Sequence, residues 1–180
     1  SKYQCIYIEG YLLVNEPFVR STMEKAKKLG LKVALDLSNF NIVNAFKGML
    51  EDIIPKYVDI LFSNESEAEA FTGQKAAEAV HTLSELVEVS LVTLGKEGAL
   101  IGSHGQFYSV PAEGGKPVDT TGAGDNFAAG FLYGQSIGAS LVQSARIGSM
   151  LAGYVIDVVG PEIPYDKWEQ IKLKVKGILA

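Results

Sequence analysis

The sequence predicts an α/β protein: a three-layer α/β/α sandwich around a largely parallel sheet, with a hairpin at the sheet edge. Three observations carry that expectation. Short apolar runs alternate with segments of helical periodicity over residues 4–94, the rhythm of a parallel sheet covered on both faces. Two short strand-like runs joined through glycines follow over residues 99–110. Beyond a glycine-bearing loop, the rest of the chain reads as helix.

Gln4-Cys5-Ile6-Tyr7-Ile8 is the first strand, ended by Glu9-Gly10. Pro17 starts a helix with Val19, Met23 and Ala26 on one face and Lys25, Lys27 and Lys28 near its end, where they suit the helix dipole. Gly30 stops it. Residues 31–36 form the second strand. A helix over residues 43–54 ends before Pro55. Residues 58–62 are the third strand. Two helices follow, one ending at Gly73 and one with Ala76, Val80, Leu83 and Val87 at helical spacing. Residues 89–94 are the fourth strand. Residues 99–101 and 106–110 read as a hairpin through Gly102-Ser103-His104-Gly105. After the loop Glu113-Gly114-Gly115 the chain is helical, and residues 139–159 are apolar nearly all round, which predicts a buried helix.

At 180 residues the chain fits one domain and can bury a real core. A net charge of −5 disfavours nucleic acid as a partner, though an anionic small molecule can still be held by backbone N–H groups at a helix start. One cysteine, Cys5, rules out an internal disulfide. His81 and His104 show no metal-ligand spacing. No apolar run reaches the ~20 residues that span a bilayer. The expected setting is a reducing cytoplasm, with a small-molecule substrate and no membrane partner.

The informative string is Asp119-Thr120-Thr121-Gly122-Ala123-Gly124-Asp125-Asn126-Phe127. It leaves a loop and opens a helix. Small residues at Gly122, Ala123 and Gly124 let backbone N–H groups come close to a ligand, and at a helix N-terminus those groups are unpaired and positively polarised. They form an anion hole suited to a transferring phosphoryl group. Asp125, just behind, is placed to take the proton of an attacking alcohol. The bland alternative is a tight turn with a helix-start aspartate. The string is neither a P-loop nor a dinucleotide fingerprint, since neither spacing is met.

The whole string resembles the C-terminal signature of the ribokinase-like (PfkB) carbohydrate kinases, a family that includes adenosine kinases. The resemblance implies ATP-dependent phosphoryl transfer to a hydroxyl of a sugar or nucleoside. Gly122, Ala123 and Gly124 would form the anion hole, and Asp125 would be the general base. Asn64-Glu65-Ser66-Glu67 is similar to the family's Asn-x-x-Glu element and places Asn64 near the nucleotide and Glu67 near Mg²⁺ through water. Thr93-Leu94-Gly95-Lys96-Glu97-Gly98 resembles its nucleotide-contacting strand and turn, with Thr93, Gly95 and Gly98 in that role. Ser149, Ala152 and Ile156, at helical spacing, resemble the residues that pack on adenine. In several relatives K⁺ sits beside the signature; Asp119 and Thr121, with carbonyls near Gly160, match its ligands. Two stretches, residues 7–13 and 35–40, look like nucleoside-kinase counterparts, but sugar kinases share much of both.

Members of that family normally carry a preceding portion with further strands, a Gly-Gly substrate element and a β lid, none of which the sequence shows. A chain opening directly on a core strand is expected to be the C-terminal two-thirds or less of a larger protein. Alone it is expected to lack substantial kinase activity, with the exposed sheet covered by a preceding segment or by a second chain, as in a homodimer. The alternative is a truncated, non-catalytic nucleotide-binding or interaction module.

Overall fold

A computed structural model describes residues 3–114 and 117–180. Gly115 of the expected glycine loop lies outside the described residues. The chain divides into two compact units. One runs to Leu94 and includes Leu100–Tyr108; the other comprises Gly95–Ala99 and Ser109–Ala180.

The first unit holds β1 (Cys5–Glu9), a 3-10 turn (Gly10–Val14), α1 (Glu16–Lys28), β2 (Lys32–Asp36), α2 (Phe40–Ala45), α3 (Lys47–Tyr57), β3 (Ile60–Asn64), α4 (Glu65–Thr72), α5 (Ala76–Ser84) and β4 (Val89–Thr93). β1 to β4 pair in parallel, each with its neighbour in sequence. β5 (Ala99–Ser103) and β6 (Gln106–Val110) extend the sheet, in the order β1 to β6. Alternate residues of the apolar runs that marked the strands fill one core. Val33, Leu35, Leu61 and Val92 meet Val19 and Met23 of α1, Leu50, Ile53 and Ile54 of α3, and Val80 and Leu83 of α5.

Register fixes what stands at the carboxyl ends of the strands. Glu9 is level with Asp36, and Asn64 with Thr93. Ligands of open α/β sheets bind beyond those ends, and the expected Asn64, Glu67 and Thr93 all fall there.

Two expectations need correction. The helix placed at 43–54 is two helices, separated at Phe46, whose φ of −115° makes it the cap of α3. Pro55 does not end α3 but lies inside its last turns. It forfeits one hydrogen bond there, and Val58 N–H still closes on the Ile54 carbonyl at 3.0 Å. The hairpin turn is also tighter than expected. It is His104-Gly105 alone, with φ of 48° and 75°, the paired positive φ of a type I′ turn.

The second unit carries α6 (Ala123–Ser136), α7 (Leu141–Ile156) and α8 (Trp168–Leu179). α7 is the helix expected to be buried nearly all round. Ser144, Ala145, Ile147, Gly148, Met150, Leu151 and Val155 are all inaccessible or nearly so. Its start is set by a capping box between Ser140 and Gln143. Ile171 and Ile178 of α8 join Ile147, Leu151 and Val155 in a separate core.

Candidate active site

The predicted site residues fall in both units. In the first, β3 ends at Asn64, whose side chain caps α4. Asn64 Oδ1 accepts from Glu67 N–H at 3.0 Å and from the Ser66 hydroxyl at 2.8 Å. Glu67 returns the contact: its carboxylate accepts from Asn64 N–H at 2.8 Å and from Asn64 Nδ2 at 2.7 Å. This is a capping box. Glu67 is only 4% exposed. Burial, opposed by the hydrogen bonds from Asn64 and reinforced by the charge of Asp36, pushes its carboxyl up to about 7. Asp36 itself accepts from the Tyr7 hydroxyl at 3.1 Å and from Ser38 N–H at 2.7 Å. Asp36 as the charge beside Glu67 was not legible in the sequence, because they lie on different elements and meet only through the sheet. Thr93 closes β4, and its hydroxyl donates to the Ser63 carbonyl at 3.4 Å.

In the second unit the signature forms a turn and the first turn of α6. Gly122 is the N-cap, left-handed at φ 77°, with no side chain to cap the helix. A Cβ there would stand 2.8 Å from Pro161 Cβ. The conformational demand of the string therefore rests on Gly122, and Gly124 has an ordinary helical backbone. Ala123 N–H donates to the Thr120 carbonyl at 3.2 Å. The N–H groups of Gly122, Gly124 and Asp125 have no partner among the described residues. The Asp125 carboxylate is exposed and makes no hydrogen bond to them either.

Beside this turn Asp119 gathers donors. Oδ1 accepts from Thr121 N–H at 2.9 Å and its hydroxyl at 2.7 Å, and Oδ2 from Gly160 N–H at 3.0 Å. These bonds, that from Gly160 first, hold the carboxyl below its usual range. The residues matched to a monovalent cation are thus together, with Asp119 charged and its two oxygens already engaged.

The residues matched to adenine divide. The Ser149 hydroxyl is buried and used twice: it donates to the Pro111 carbonyl at 2.8 Å and accepts from Glu113 N–H at 3.1 Å. It staples the loop after β6 onto α7. Ala152 and Ile156 are half-buried on the same helix. Gly98 is explained by packing, since a Cβ there would lie 1.9 Å from the Val110 carbonyl oxygen. Gly95 opens a short 3-10 turn, Gly95–Glu97. A cleft of about 630 Å³, lined by Met150, Tyr154, Asp157, Gln170 and Lys174 among others, opens between α7 and α8.

Comparison with known proteins decides the family. The family described as pfkB family carbohydrate kinase matches residues 1–168. The chain belongs to that family. A PfkB relative, the adenosine kinase of Saccharomyces cerevisiae, is 33% identical over 89% of this chain and 52% of its own length. Among solved structures, a probable sugar kinase protein from Rhizobium etli superposes with a TM-score of 0.90 at 31% identity, over 97% of this chain and 54% of that one. The adenosine kinase of Sinorhizobium meliloti gives 0.89 at 30% identity, over 95% and 54%. The α/β sandwich read from the sequence is the fold of these PfkB relatives. The chain spans about half the length of the curated relatives it matches. No helix among the described residues is long and apolar enough to cross a membrane.

Proposed function

We propose that this chain carries the nucleotide-binding and phosphoryl-transfer part of an ATP-dependent kinase acting on a hydroxyl of a nucleoside or sugar. The observation that carries the proposal is the start of α6: three backbone N–H groups, and the carboxylate of Asp125 beside them, without hydrogen-bond partners among the described residues. An uncapped helix start attracts anions. The γ-phosphoryl of ATP is the anion this site suits, because a proton acceptor stands next to it.

In the reaction the alcohol oxygen attacks the γ-phosphorus and the bond to the ADP oxygen breaks. Asp125 takes the alcohol proton, and the N–H groups of Gly122 and Gly124 hold the charge on the transferring oxygens. The products are a phosphate ester and ADP. Mg²⁺ supplies charge neutralisation on the phosphates. The buried Glu67 carboxyl beside Asp36 fits a role near it, since a divalent cation would favour the charged form that burial now opposes. Asn64 and Thr93 at the strand ends, and Ala152 and Ile156 on α7, are the proposed nucleotide contacts, while Asp119 and Thr121 are proposed for K⁺. The names of the relatives favour a nucleoside acceptor, adenosine first.

The test is a coupled assay on the protein expressed from its complete gene, with ATP and Mg²⁺, against adenosine, other nucleosides, ribose and fructose. ADP release dependent on one of these acceptors is expected. Nucleotide binding without turnover on any of them would point instead to the non-catalytic module.

A further inference from the structure

We infer that Asn126 is a positioning residue for phosphoryl transfer, acting through the anion-hole turn; this rests on the proposed kinase reading. Asn126 follows Asp125 in the first turn of α6 and is half-buried. Its backbone N–H makes the helical bond to the Gly122 carbonyl at 2.9 Å. Its side-chain Nδ2 donates twice more: to the same Gly122 carbonyl at 2.9 Å and to the Pro161 carbonyl at 3.3 Å. Both neighbours are acceptors only, so the amide must present its NH₂ group to them.

The consequence follows from what this helix start lacks. An ordinary N-cap side chain orders the first turn by occupying an N–H group near the helix start. Here the cap is Gly122, which has no side chain and stands in the left-handed region at φ 77°. The turn needs another source of order, and it must leave the N–H groups open. Asn126 provides this from inside the helix. It reaches back to the carbonyl side of Gly122 and ties it to Pro161, whose Cβ would be 2.8 Å from a Cβ on Gly122. The neighbouring Gly160 N–H is held in turn by Asp119 at 3.0 Å. The segment Gly160-Pro161 is thus gripped by an acceptor and a donor, one on each side of the Gly122 turn. Donors aimed at a developing charge are effective only when they need no reorganisation at the moment of reaction, and a misplacement of ~1 Å can cost ~10²-fold.

The experiment compares wild type with Asn126→Ala and Asn126→Asp, made in the protein from its complete gene. Both variants remove the donor, and the aspartate also sets a negative charge against two carbonyls. Turnover and amide hydrogen exchange are read together. The expectation is a kcat at least ~10-fold lower in Asn126→Ala and lower still in Asn126→Asp, with KM for the acceptor within about twofold. Exchange should be faster at the Ala123 and Asn126 amides, whose N–H groups are bonded to the Thr120 and Gly122 carbonyls, and unchanged along α7. Unchanged exchange at the turn, a kcat within twofold of wild type in an active enzyme, or faster exchange throughout α6 and α7 would each overturn the inference. The last would mark a plain stability role. A wild type without kinase activity sinks the functional reading alone; the exchange comparison then decides by itself whether Asn126 orders the turn.

Discussion

Two helices of this chain begin in opposite ways. At α4 a capping box closes the terminus: Asn64 and Glu67 satisfy each other through three hydrogen bonds between 2.7 and 3.0 Å, and Glu67 is buried. At α6 the cap is a glycine, three N–H groups have no partner among the described residues, and the acidic residue of the first turn, Asp125, stands exposed. Both carry an acidic residue in the first turn, so both look alike to a reading of charge against the helix dipole. The difference lies in who uses the backbone donors. Where a side chain satisfies them, the helix start contributes to folding. Where they are left open, stability is forgone and the donors stay available to a ligand.

The comparison breaks most readily at Asp125. Replacing it by Asn in the protein from its complete gene is expected to lower kcat by ~10²-fold or more while ATP binding changes little, since general-base removal costs about 10²–10⁴. Turnover close to wild type would leave α6 an open helix start with no chemistry attached.

Gly124→Val tests the other element of the same turn. A Cβ at Gly124 meets no atom within 4 Å, so the fold should survive, as circular dichroism would show. The branched side chain would nonetheless stand between a phosphoryl group and the N–H donors. A loss of ~10-fold or more in kcat is expected, on the order of removing one oxyanion donor at the low end. Full activity in the folded variant would reduce the turn to a structural feature.

Glu67→Gln sharpens the comparison from the closed side, because glutamine can still complete a capping box. With its carboxyl raised from 4.5 to about 7, Glu67 holds a proton in the folded state that the unfolded chain has released over that interval. The wild-type protein should therefore lose stability as pH rises from 4.5 to about 7, by up to about 1.4 kcal/mol per pH unit from this group. Urea unfolding across that range should show a smaller slope in the variant. If Glu67 also acts near Mg²⁺, the concentration for half-maximal rate should rise several-fold. Equal slopes in the two proteins would contradict the buried, shifted carboxyl.

The smallest expected effect is that of Asn64→Ala. Loss of the cap should cost about 1 kcal/mol, read as a lower urea midpoint with an unchanged m-value. A cost near zero would mean that α4 is held by packing of Ala68 and Phe71 alone.

Much of the fold was legible because its signals are local. Alternating apolar runs gave the parallel strands, Gly73 and Pro17 marked helix ends they do mark, and the all-apolar stretch after residue 139 became the buried α7. Pro55 misled because one lost hydrogen bond in a last turn is outweighed by burying Ile53, Ile54 and Tyr57 on the same helix. The signature string was legible as the start of a helix from its small residues.

The sequence by itself determined the order of the strands, most of the helices, the family, and the place of the open helix start, because periodicity, turn residues and a nine-residue string are all read along the chain. Only the tertiary structure decided which groups remain available. Ser149 is spent on holding a loop and Gly98 on a close backbone approach, whereas Gly122, Gly124 and Asp125 have N–H groups without partners among the described residues. Each of these depends on a segment brought near by folding: Pro111, Val110 or, for the open turn, Pro161 held by Asn126. A hydrogen-bonding group has a fixed capacity, and the sequence states the capacity while the fold states how it is used.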